Sequence, residues 1–244
     1  MSDWIKINGI HSDALGIWVD TPPIPPMAKR RRTISQIGFD EDVVTTLDSY
    51  DNLNITIYFY QIDGFNSSDV YDNGDIFTFI SSAQTLEMSR FEGWYYKVID
   101  ISAIQPVSQY NANKVKYAAT FTVSPFKYKV GDEEIDIDNQ TDIINNGTVF
   151  SKPIIRFSMA TAGNVRINTN GEYFFVNDVP ANTQVVIDST KMIATIGGEI
   201  VNASTKGNFP MLNVGNNLVR LSRMVNNSPV PLSGGKILCN TRRR

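Results

Sequence analysis

The amino-acid sequence predicts an all-β protein carrying one short helix. Three observations lead there: apolar residues recur at every second position in several short runs, a helical period occurs once, and 16 glycines and 11 prolines divide the 244 residues into short pieces. Many short strands broken by turn residues point to sandwiches or barrels and not to βαβ units.

In chain order, Trp4–Ile7 and Leu15–Val19 read as short strands on either side of Asn8-Gly9. Thr21-Pro-Pro-Ile-Pro-Pro26 is polyproline-like and forms a stiff lead into Lys29–Ile37, which turns through Gly38-Phe-Asp-Glu-Asp42 into Val43–Leu47. The sequence therefore predicts a protruding hairpin at about 29–47. An exposed pair of strands is an aggregation hazard unless something pairs with it. We expect it to stitch onto a neighbouring subunit, with Arg30, Arg32, Ile34, Gln36, Phe39, Val43 and Thr45 at that contact.

Asn52–Tyr60 alternates cleanly, with Ile55, Ile57 and Phe59 on one side and Thr56, Tyr58 and Tyr60 on the other. After the polar cluster Asn66–Asp69, the spacing of Ile76, Phe79, Ile80 and Ala83 predicts an amphipathic helix over about 74–84. Trp94–Ile101 and Val115–Val123 are further strands, the second with Val115, Tyr117, Ala119, Phe121 and Val123 on one face.

Pro125 is expected to end that strand, and the acidic Gly131–Asp138 and the turn signal Asn145-Asn-Gly147 follow it. We therefore expect an N-terminal β domain over 1–130, a linker over 131–144, and a C-terminal β-sandwich over 145–244, a size usual for that fold. Pro153 fits the first position of the sandwich's opening strand, since it cannot donate to a ladder. Asn164–Ile167, Tyr173–Val176, Gln184–Ile187 and Leu218–Leu221 supply later strands.

Composition restricts the function. No run approaches the ~20 apolar residues of a membrane helix, and the N-terminus lacks the charged and apolar regions of a signal peptide, so we expect a soluble protein made in the cytoplasm. The net charge of −3 gives no whole-molecule attraction to nucleic acid. The single cysteine, Cys239, reads as a packed small apolar residue.

Few residues in the sequence carry chemistry. A nucleophilic triad needs an imidazole, and the sole histidine, His11, reads as a turn residue. Zinc would need clustered Cys and His ligands, which the sequence lacks. Asp132, Glu133, Glu134, Asp136 and Asp138 are the densest carboxylates. On a strand, however, Glu134, Asp136 and Asp138 fall opposite Ile135 and Ile137, as in a solvated edge strand over a core. The basic runs Lys29–Arg32 and Arg242–Arg244 are not interleaved with stacking aromatics and read as a protein contact or a solvated end. No catalytic, cofactor or metal residues are expected. Glycan binding has one opening, at Tyr173 and Phe175, although Tyr173, Phe174 and Phe175 also read as core packing.

Taken in order, these segments resemble a known family. "WIKINGIHSDALGIWV", the "TPPIPP" lead into a hairpin, "DIFTFISSAQTLEMSRFEGWYYKVIDI" and "VKYAATFTVSPFKY" are followed by "NNGTVFSKPIIRFSM", "TQVVIDSTKMIA" and "GNFPMLNVGNNLVRL". The chain resembles the distal tail protein (Dit) family of siphophages that infect Gram-positive bacteria. The resemblance implies an N-terminal β-sandwich or barrel that closes into a hexameric ring, and a galectin-like C-terminal sandwich projecting from it. It implies a virion protein of the tail tip, joining the tail tube protein to a tail-associated lysin or fibre protein and contacting a receptor-binding protein, with DNA passing through the lumen. Without the resemblance, a carbohydrate-binding module for wall glycans is the alternative.

Overall fold

The computed structural model describes residues 3–36, 42–61, 74–111, 114–226 and 228–244. Most of its strands are short, as the glycine and proline spacing requires, with β-strands of 16 and 11 residues as the exceptions. The chain divides into two units, the first running to Val130 and including Arg244, the second covering Gly131–Arg243.

In the first unit the elements are β1 (Ile5–Ile7), β2 (Ile10–His11), β3 (Ile17–Val19), β4 (Arg30–Gln36), β5 (Asp42–Tyr50), β6 (Leu53–Gln61), α1 (Gly74–Ser81), β7 (Thr85–Met88), β8 (Trp94–Ile101), β9 (Gln105–Asn111) and β10 (Lys114–Lys129). The main sheet has the order β2-β1-β7-β8-β10-β6-β3. β10 is its spine. One edge of β10 pairs with β6, from Lys116 opposite Tyr60 to Val123 opposite Leu53. β8 and β9 share the other edge.

Alternation chooses the buried side of this sheet: Ile55, Ile57 and Phe59 of β6 and Ala119, Phe121 and Val123 of β10 are at most 1% exposed. Each large apolar side chain so buried contributes about 1.5–3 kcal/mol. Ile76 and Ile80 of α1 and Ala83 just beyond it close over the same cluster, and Phe77 meets Tyr117 edge-on at 5.4 Å. The predicted helix ends three residues early as an α-helix. Its continuation is a tighter turn, in which Ala83 N donates to the Ile80 carbonyl.

Pro125 does not end its strand. β10 continues to Lys129, and the register against β8 shifts between Val123 and Lys127. A proline is tolerated at such an irregularity because no ladder donor is needed there. Phe126 and Tyr128 are buried beyond it.

The second unit contains β11 (Glu134–Ile137), β12 (Thr141–Asn145), β13 (Ile154–Met159), β14 (Gly163–Thr169), β15 (Glu172–Val179), β16 (Thr183–Asp188), β17 (Ile193–Ile196), β18 (Glu199–Ile200), β19 (Thr205–Gly207), β20 (Gly215–Val225), β21 (Ser228–Pro231), β22 (Gly235–Leu238) and β23 (Arg242–Arg243). One sheet has the order β11-β22-β13-β16-β17-β18, the other β12-β20-β14-β15-β19 with β21 also on β20. Ile155 and Phe157 from the first sheet and Val165, Ile167, Phe174, Val219 and Leu221 from the second share one core, so the unit is a sandwich. Cys239 is a buried member of that core.

Residues 131–144 are therefore not a linker. They hold β11 and most of β12, one strand in each sheet of the second unit. Polar composition masks both: in β11 only Ile137 is fully buried, and in β12 only Ile143 and Asn145. The Asn145-Asn-Gly147 turn lies inside the sandwich, where the Asn145 carboxamide accepts from Gly147 N and donates to the carbonyls of Val149 and Leu212. Among the described residues no helix is long and apolar enough to cross a membrane.

Candidate functional site

β4 and β5 form a two-stranded sheet of their own, hydrogen-bonded to no other strand among the described residues. The polyproline lead explains its independence, since a segment without ladder donors cannot extend the neighbouring sheet. The base is fixed by Asp51 N donating to the Lys29 carbonyl and by Arg31 Nε donating to Asp51 Oδ1 at 2.9 Å. Lys29, Arg30, Arg31 and Arg32 are all exposed.

Of the residues expected at a subunit contact, Arg30, Arg32, Ile34, Gln36, Val43 and Thr45 lie in this ladder. Phe39 lies outside the described residues. Arg32, Ile34 and Gln36 stand opposite Thr46, Val44 and Asp42, whereas Val43 and Thr45 stand opposite Ser35 and Thr33.

A second surface comes from strands far apart in sequence. Trp18 on the edge strand β3 pairs with Tyr60 of β6 and is 60% exposed; Tyr58, next on the same face, is 40% exposed. Lys116 of β10 places its ammonium 4.8 Å from the Tyr58 ring centre and 5.4 Å from that of Tyr60, and donates to Asp20 Oδ2 at 2.6 Å. The hydrogen bond to Asp20 holds the lysine above its ordinary pKa, so it stays charged against the rings. Half-exposed aromatics around a fixed cation suit protein-protein contact. Single-strand reading missed this surface, although the Thr56, Tyr58, Tyr60 face of β6 was a signal for it.

The third surface is the outer face of the sheet containing β14 and β15. Tyr173 is 45% exposed, the Arg166 guanidinium lies 5.0 Å from its ring centre, and Phe175 is 6.4 Å away, ring to ring. Core packing holds only for Phe174, which is 1% exposed and meets the Phe209 ring in a tilted contact at 4.7 Å. The pleat separates the three, since adjacent residues of a strand face opposite ways.

Several of the remaining charged candidates have structural partners. β11 is an edge strand; Glu134 pairs with Arg156, and Asp136 lies 3.9 Å from Lys236. Asp132 accepts from Thr241 N at 2.8 Å. Arg242 is not part of a solvated end: it is 6% exposed, donates to the Phe150 carbonyl through Nε and Nη2, and stacks on the Phe150 ring. His11 caps the turn that follows it, its Nδ1 accepting from Asp13 N. Among the described residues no group of three His, Cys, Asp or Glu side chains could hold a metal ion.

Comparison with solved structures addresses the whole architecture. The crystal structure of the SPP1 Dit protein, described as a paradigm of the hub adsorption apparatus in phages infecting Gram-positive bacteria, superposes with a TM-score of 0.69 over 97% of both chains, at 13% identity. The chain has a Dit-like fold. A chain of the phage P2 baseplate in its activated conformation with calcium gives a TM-score of 0.54 over 100% of this chain and 99% of that one, at 12% identity. The same baseplate with strontium gives 0.52 over 97% and 96%, also at 12% identity. No family model and no curated protein matches the sequence. Both units are thus covered by the Dit-like likeness.

Proposed function

We propose that this chain is a structural hub of a phage tail, in which the first unit closes into a hexameric ring. The observation that carries this reading is the Dit-like fold spanning 97% of both chains. The ring would join the tail tube protein to a tail-associated lysin or fibre protein, offer the second unit to a receptor-binding protein, and let DNA pass through its lumen without specific binding. It would belong to the tail tip of a virion assembled in the bacterial cytoplasm. Such a role is architectural and asks for no catalytic group.

The independent β4–β5 hairpin supports the reading, because its backbone is disposed to pair with a second chain, and its basic base adds a charge-dependent contact. A closed ring also needs two different surfaces per subunit, and the Trp18–Tyr58 face provides a candidate for the second.

The test is the solution mass of the purified protein by light scattering, with negative-stain images of the same fraction. We expect a six-fold ring of about six times 27.3 kDa, and a monomer when residues 29–47 are deleted. Unchanged assembly in the deletion variant would remove the hairpin from the contact. A monomer under all conditions, including with a tube protein present, would sink the ring.

A second reading is favoured by the exposed Tyr173 beside Arg166 and Phe175: the second unit would bind wall glycans. Retention of the protein on purified wall polysaccharide tests it.

A further inference from the structure

The turn between β14 and β15 and the 208–213 loop enclose a cleft of about 350 Å³ at one end of the second unit. That volume suits one small ligand. Its base is apolar: the half-buried Phe209 ring packs, tilted by 39°, at 4.7 Å against Phe174, which is 1% exposed, and Met211 flanks them, 48% exposed. Its rim is amide: Asn170, Asn208 and Asn213 all line it.

The rim is held from beneath by one buried side chain. Asn217 is 1% exposed, yet its Oδ1 accepts from Asn170 Nδ2 and from Asn213 N, both at 2.7 Å. Its Nδ2 donates at 2.8 Å to the carbonyls of Asn213 and Gly215. Asn170, in left-handed backbone at φ 54°, also accepts from Leu218 N at 2.8 Å. Both walls of the cleft are thereby fixed to β20. An apolar residue would fill position 217 at no desolvation cost, so the amide there serves the geometry of the walls. Rigid support beneath an open, mixed lining is what a binding site requires.

The lining selects the ligand class. Amides donate and accept, which matches the alternating hydroxyls of a sugar, and the accessible side of the Phe209 ring matches the C–H face of a pyranose. No cation lines the cleft among the described residues, and Glu172 stands at its edge, so a phosphorylated or carboxylated ligand is disfavoured. A purely apolar ligand would cover the exposed amides of Asn208 and Asn213 without giving them a partner.

We propose that this cleft binds a neutral hexopyranose residue, either free or at the end of a polysaccharide. The inference rests on the glycan-binding reading and moves its site from Tyr173 and Phe175 to the opposite side of the same strand.

The experiment is saturation-transfer NMR on the full chain with the methyl glycosides of glucose, galactose and N-acetylglucosamine, alongside retention on wall polysaccharide. We expect at least one glycoside to receive saturation. Met211→Trp, at an exposed position, fills the mouth and should abolish that transfer, with the melting temperature unchanged. Asn208→Ala combined with Asn213→Ala, also at exposed positions, should weaken binding roughly fivefold or more. Retention on polysaccharide without any glycoside signal would place binding on a polymer feature larger than one residue and overturn the cleft. So would retention that survives Met211→Trp and is lost in Tyr173→Ala, which would keep the glycan reading at Tyr173. Equal or tighter binding of glucose 1-phosphate would overturn the neutral class, and no binding in either assay would overturn the cleft and the glycan reading together.

Discussion

Asn145 and Asn217, on the paired strands β12 and β20, fasten adjacent residues of one loop: Asn145 Nδ2 donates to the Leu212 carbonyl at 3.2 Å, and Asn217 bonds both backbone groups of Asn213. Each is 1% exposed. Truncating either removes amide hydrogen bonds from this segment: the Val149 carbonyl loses its donor in the first case, and Asn213 N with the Asn213 and Gly215 carbonyls lose theirs in the second, whereas the Leu212 carbonyl keeps its bond from Ser151 N. We expect Asn145→Ala and Asn217→Ala each to cost about 2–3 kcal/mol in urea denaturation. The double variant should cost less than the sum, because the two anchors hold the same segment.

Neighbouring aromatics on β15 should respond oppositely. Phe174→Ala removes a ring from the core and should cost about 3–5 kcal/mol. Tyr173→Ala, at a position 45% exposed, should change stability by no more than about 0.5 kcal/mol. Comparable losses would show that the pleat is misassigned.

Tyr96 gives a pH signature. Burial raises its phenol from 10.0 to about 12, so the folded state favours the neutral form. That contribution is complete below about pH 10 and disappears as the pH rises from 10 toward 12, where the unfolded chain is ionised and the folded one is not. The melting temperature should fall across that window, and less so in Tyr96→Phe. Phenolate absorbance should show one tyrosine titrating only with unfolding.

Gly207 has φ 99°, and a Cβ there would overlap the Tyr173 carbonyl oxygen across the β15–β19 pairing. Gly207→Ala therefore meets backbone strain and a backbone clash together. A loss of about 1–3 kcal/mol is expected, read as a lower denaturation midpoint.

If the hairpin stitches subunits, its basic base should matter in proportion to screening. Arg30→Glu combined with Arg32→Glu, both at exposed positions, should shift the ring toward smaller species at low salt, and wild-type assembly should itself weaken as salt is raised. Sedimentation velocity at two ionic strengths decides it. Salt-independent assembly of both proteins would assign the contact to apolar surfaces.

The sheets were legible where a strand has one wet face. In β6, the alternation of Ile55, Ile57 and Phe59 with Thr56, Tyr58 and Tyr60 marks the buried side residue by residue. It failed where pairing is made by backbone alone: β11 buries only Ile137 fully, and its neighbour β22 lies about a hundred residues away. Pro125 misled for a related reason, since a register irregularity excuses a proline only once the partner strand is known. The candidate surfaces were harder still. The Trp18, Tyr58, Tyr60 and Lys116 cluster draws on three strands, and the cleft amides have no periodicity at all, because turns and loops place them.

Pairing of β11 with β22 puts Glu134 opposite Leu238. The second unit is thereby entered and left at one place along a single edge. A segment with that property is a cassette. It can be excised, replaced or circularly permuted with little strain on whatever flanks it, provided new ends open at an exposed turn such as Gly197-Gly198. Exchange of the 134–238 segment between related chains would let a lineage change what the second unit contacts while leaving β10 and all of its partner strands in place.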